Sequence, residues 1–144
     1  MKISFFSGGA EADLGCDLEG MRRVLNALKE CLVSGGTELV LGATENDGGF
    51  LHFVFLNGEG GRPQKYVLSV EFLGNDLHMT FSDGGLECFL DSLEFLLREL
   101  ERNESDHAHF FAEAWGLGFK ELTNFSFVDG GRVADKFTVY GLKG

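Results

Sequence analysis

The chain has little that would cross-link, stiffen or anchor it. Its 144 residues include one proline, Pro63, and three cysteines, Cys16, Cys31 and Cys88. An odd cysteine count with no metal-ligand spacing argues against a disulfide framework and for free, reduced thiols in a cytosolic protein. No apolar run approaches the roughly 18 residues that span a bilayer. The opening MKISFFSGGAEADLG is strand-like and soon acidic, unlike a signal peptide, so a soluble cytoplasmic protein is expected. Basic residues are scarce: 12 Lys and Arg stand against 23 Asp and Glu, a formal net charge of -11. That balance favours solubility, repels nucleic acid and anionic membranes, and attracts basic partners. Phosphate-loop patterns are missing too. Gly8-Gly9 and Gly84-Gly85 each lie between a strand and a helix, but without GxGxxG or GxxxxGK[ST] they read as turns. No nucleophile–base signature joins the Ser, Cys and His residues, so no enzyme and no cofactor is expected.

What is present is a core. Apolar residues make up 44% of the chain, with Phe unusually common at 15, which argues against disorder, and the length suits one domain. Glycine is abundant at 21, often paired between apolar runs, as tight turns in a sheet-rich protein require. The clearest element is Asp83 to Arg102. Leu86, Phe89, Leu90, Leu93, Leu96, Leu97 and Leu100 form one apolar helical stripe, backed by Asp83, Glu87, Asp91, Glu94, Arg98 and Glu101. A first helix is predicted from a cap at Asp17 through Leu32, ended by Ser34-Gly35-Gly36.

Strands are predicted at Lys2–Ser7, Thr37–Ala43, Phe50–Leu56, Lys65–Leu73, Leu77–Ser82, His107–Trp115, Phe119–Val128 and Lys136–Leu142, with Gly8–Cys16 read as a loop. The order strand–helix–three strands thus occurs twice, about 1–74 and 75–144. Leu25, Leu28 and Leu32 match Leu93, Leu96 and Leu100. Phe53 to Gly58 matches Phe125 to Gly130, Gly61-Arg62 matches Gly131-Arg132, and Lys65-Tyr66 matches Lys136-Phe137. Asn57-Gly58 and Asp129-Gly130 are hairpin steps. The expected fold is α+β: a duplicated unit giving two antiparallel four-stranded sheets and two helices about a pseudo-twofold, in a single domain.

His107 and His109 share a strand face and could serve one metal, but no third ligand has suitable spacing, so a surface or packing pair is expected and no metal site. His52 and His78 read as isolated core or edge residues. The helices provide an internal comparison. Arg23 and Asn26 of the first match Asp91 and Glu94 of the second, so the core positions agree while the second outer face is the more acidic. That face is either a solvated surface or a docking site for a basic partner. The candidate partner-binding residues are Asp83, Glu87, Asp91 and Glu94, with Glu104 and Asp106 at the margin. Glu101 extends the patch, and Glu45 with Asp47 adds to it from a loop.

Small size, acidity, cytoplasmic character, an α+β plan and no catalytic motif together resemble bacterial immunity proteins, particularly those of contact-dependent growth inhibition and other polymorphic toxin systems. The resemblance implies a cognate toxin as partner, often a basic nuclease, neutralised by occlusion of its active site or a neighbouring surface. The duplicated plan also looks like the Whirly fold, with element order permuted and without that family's lysine-rich strand motif. The alternative is a nucleic-acid or small-molecule binding module using a Phe-rich sheet face, with Arg62, Lys65, Arg132 and Lys136 the best basic candidates.

Overall fold

The computed structural model describes residues 1–8, 10–44, 49–55, 68–111 and 132–143. Two strands open the chain, β1 (Ile3–Gly8) and β2 (Glu11–Cys16), followed by helix α1 (Leu18–Val33), β3 (Glu38–Gly42) and β4 (Phe50–Phe55). Then come β5 (Leu68–Leu73), β6 (Asp76–Phe81), helix α2 (Asp83–Glu101), β7 (His107–Phe111), the two-residue β8 (Arg132–Val133) and β9 (Lys136–Gly141). The α+β plan of two sheets and two helices is as the sequence predicts. The predicted strand at Phe119–Val128, both hairpin steps, Gly61-Arg62, Lys65-Tyr66, Glu45 and Asp47 lie outside the described residues.

Each helix is specified locally. The Asp17 carboxylate accepts from the Gly20 N–H at 2.8 Å to cap α1, and the Ser82 hydroxyl accepts from the Gly85 N–H at 3.2 Å to cap α2. Both C-termini close through a left-handed residue, Gly35 (φ 75°) and Asn103 (φ 59°). The amides that follow turn back: Gly36 N–H bonds the Cys31 carbonyl and Glu104 N–H bonds the Glu99 carbonyl. Between these caps the apolar stripes are buried: Met21, Val24, Leu25 and Leu28 on α1, and Leu86, Phe89, Leu93, Leu96 and Leu100 on α2. Gly20 is buried against β1, and a Cβ there would collide with the Lys2 carbonyl.

The first sheet has the order β1-β2-β9-β7 and the second β3-β4-β6-β5-β8. Neither is purely antiparallel, nor drawn from one half of the chain as expected. In each, an antiparallel hairpin from early in one half lies parallel to a hairpin from late in the other, at β2–β9 and β4–β6. The departure begins at Gly8–Cys16, where β2 replaces the expected loop. Its Ala12, Leu14 and Cys16 are buried while Glu11 and Asp13 point outward. With β2 in place, the order hairpin–helix–hairpin occurs twice. The register repeats 65 positions later: Ile3 pairs Cys16 and Leu68 pairs Phe81, and the caps Asp17 and Ser82 follow. On this register Leu25, Leu28 and Leu32 correspond to Leu90, Leu93 and Leu97, one turn earlier than the sequence match.

Both helices contribute to one core cluster shared with both sheets. The ring centroid of Phe89 in α2 lies 5.0 Å from that of Phe81 in the second sheet, and 6.0 and 6.3 Å from those of Phe110 and Phe137 in the first. The sheets are also joined where Thr44 exchanges hydrogen bonds with both backbone groups of Ile3. No helix among the described residues is long and apolar enough to cross a membrane.

Candidate functional site

The outer face of α2 carries the first candidates. Asp83 is the first residue of the helix, and its side chain is outside those described. Glu87 and Asp91 are exposed one turn apart. Between them Cys88, half-buried, has its thiol pushed up by burial and then by the charges of Asp91 and Glu87, so it stays protonated. Glu94 is not free: the Lys29 ammonium of α1 lies 2.7 Å from its carboxylate. That hydrogen bond, and then the Lys29 charge, holds Glu94 below the usual carboxylate range. Lys29 and Glu94 are themselves equivalent positions of the two helices, so this contact ties the repeats together.

The structural register sharpens the comparison between the helices. Arg22, Asn26 and Lys29 of α1 correspond to Glu87, Asp91 and Glu94 of α2, in place of the Arg23–Asp91 and Asn26–Glu94 matches drawn from sequence. At three matched outer positions, two cations and an amide face three carboxylates.

Glu104 and Asp106 stand beyond the C-terminal end of α2. The helix runs 19 residues, about 28 Å at 1.5 Å per residue, so the six candidates form two groups rather than one patch. Glu104 shares a hydrogen bond with the Glu99 carboxyl. That bond, then burial, then the Glu104 charge raises Glu99 above its ordinary value. Asp106 accepts from the His107 N–H at 2.8 Å. It also lines an open groove of about 280 Å³ with Ser105, His107, Tyr140 and Lys143.

His107 and His109 do share the outer face of the first sheet, rings 4.5 Å apart edge to face. His109 Nδ1 lies 3.0 Å from the Thr138 hydroxyl; burial, then His107, lowers its pKa. The grouping the sequence did not reveal is on the second sheet. β4 and β6 pair in parallel with His52 directly opposite His78, and their imidazoles stack at 4.0 Å with planes 9° apart. Asp76, two residues before His78 and so on the same face, places Oδ2 3.3 Å from His52 Nε2. The Phe50 N–H donates to the other oxygen at 3.0 Å. His78 is held below the usual imidazole range by burial and then by His52, and its Nε2 is buried with no hydrogen-bond partner among the described residues. Only knowledge that β4 and β6 are neighbours could have joined these residues.

The Phe-rich sheet face turns inward: Phe5, Phe53, Phe81, Phe110 and Phe137 are buried, as is Phe89 of α2, while Phe6 and Phe50 are exposed on different sheets. Lys136 lies 3.9 Å from Glu11, and Arg62 and Lys65 are outside the described residues. No family model, curated protein or solved structure matches the chain.

Proposed function

We propose that the chain is a cytoplasmic, non-catalytic immunity protein that neutralises a cognate basic toxin domain, a nuclease by preference, with the outer face of α2 as its docking surface. The observation supporting this reading is the charge contrast at equivalent helix positions: Arg22, Asn26 and Lys29 against Glu87, Asp91 and Glu94. The two helices share caps, burial pattern and packing role, so the fold itself does not call for carboxylates at these three positions on only one of them. Glu87 and Asp91 lead the surface. Glu94 sits at its edge because Lys29 already engages it, and Asp83 adds charge at the helix start. Glu104 and Asp106 form a separate acidic margin at the far end. Carboxylates so placed would occupy positions otherwise used by substrate phosphates, or lie beside them.

The gene immediately upstream identifies the partner to test. A secreted toxin encoded there, with a terminal domain that binds this chain, is the expected finding. Reversal of Glu87 and Asp91 to Lys should then slow association and flatten its salt dependence. Stability should move by no more than about ±0.5 kcal/mol, as for exposed sites. Reversal of Glu19 and Glu30 on α1 is the control. Association unchanged by the α2 pair means that face is only a solvated surface; loss in the control alone moves the partner to α1.

A further inference from the structure

The structure assigns a divalent transition-metal site, zinc in class, to His52, His78 and Asp76, half-buried on the face of the second sheet that points away from the core cluster. Two imidazoles and a carboxylate are a donor set suited to zinc and its neighbours. The three donor atoms all lie within 4.8 Å of one another. With bonds of about 2.0–2.1 Å, two donors on a tetrahedral metal are separated by about 3.4 Å. His52 Nε2 and Asp76 Oδ2 already stand 3.3 Å apart. Closing on a metal asks only that the stacked rings fan apart by side-chain rotation, since parallel strands in register hold both on one face.

Two further features favour a metal over a plain histidine–carboxylate pair. Among the described residues His78 Nε2 is buried with no hydrogen-bond partner, so a donor atom stands beside the pair without a role in it. The Phe50 N–H holds Asp76 Oδ1, which leaves Oδ2 directed at His52, the outer-shell arrangement that orients metal-binding carboxylates. Three protein ligands leave a fourth position for water or an external group. The expectation of no metal rested on His107 and His109, a different pair on the other sheet. This site is independent of the α2 docking surface, and either reading can fail alone.

The test is calorimetric titration of the chelator-treated full chain with zinc chloride, alongside thermal melts with and without zinc. The wild type is expected to bind one zinc per chain and to melt higher with it, because a ligand of the folded state stabilises by mass action. His52→Ala and Asp76→Asn should each abolish that stoichiometric binding while keeping the wild-type circular dichroism spectrum; the asparagine still accepts from Phe50. His107→Ala/His109→Ala should bind zinc as the wild type does. The assignment is overturned by a wild type that takes up no stoichiometric zinc. It is equally overturned by binding that survives both His52→Ala and Asp76→Asn, or by binding lost in the His107/His109 variant.

Discussion

Asp17 does two jobs from one carboxylate. It caps α1 through the Gly20 N–H and anchors the start of β1 through the Lys2 N–H at 2.9 Å. Burial alone would raise its pKa; those two backbone bonds and the N-terminal ammonium outweigh it, so the carboxyl sits below its ordinary value. A depressed folded-state value stabilises the fold above the unfolded pKa of about 3.9, and that contribution is lost as pH falls through the folded value. Asp17→Ala should cost about 0.5–2 kcal/mol at neutral pH. Asp17→Asn keeps a capping oxygen but not the charge, so its stability gap from wild type should shrink between pH 7 and pH 3 in urea unfolding. Ser82→Ala, at the equivalent cap, should cost a similar amount with no such pH dependence. The Asp17 cap was legible in the sequence, because capping is a contact between neighbours in the chain. The pairing of His52 with His78 was not, because it depends on which strand lies beside which.

Among the elements, α2 joins the two sheets, and Phe89 is where it does so. Its ring meets Phe81 on one side and Phe110 and Phe137 on the other, and it is fully buried. Phe89→Ala should therefore destabilise by about 3–5 kcal/mol in denaturant titration, the range for emptying a packed aromatic site. A loss under about 1 kcal/mol would mean that the sheets close without it. Both helices were legible because stripe, cap and stop signals agree within each segment. β2 was not: Glu, Ala, Asp and Gly are poor strand formers, and only pairing with β1 on one side and β9 on the other makes Glu11–Cys16 a strand. Its alternation of Ala12, Leu14 and Cys16 with Glu11, Asp13 and Gly15 was the available signal. Missing it displaced the repeat register, and with it the positions compared between the helix faces.

For the molecule as a whole, the exchange of hairpins decides how it can fold. The first sheet takes β1 and β2 from one repeat and β7 and β9 from the other; the second takes β3 and β4 from one, and β5, β6 and the short β8 from the other. Neither repeat owns a complete sheet, and the ion pair between Lys29 and Glu94 bridges their helices. A chain cut between Phe55 and Leu68 leaves each fragment with a hairpin, a helix and a hairpin; apart from the two-residue β8 beside β5, the strands that join those hairpins into sheets are on the other fragment. Two-stranded ribbons are marginal in water, so each fragment alone should lack a cooperative transition at low concentration. Mixed in equal amounts, they should restore helix and sheet signals and a single melt whose midpoint rises with concentration. A fragment could also pair with a second copy of itself, since its counterpart has the same plan. Its folding would then depend on concentration, and sedimentation would show a dimer. A fragment that is monomeric and melts cooperatively by itself would show that a repeat completes its own sheet, against the exchanged topology. A cut between Gly74 and Asn75 is the informative contrast. It severs the β5–β6 hairpin, with Gly74 left-handed at its turn (φ 59°), and those fragments should reassemble more weakly.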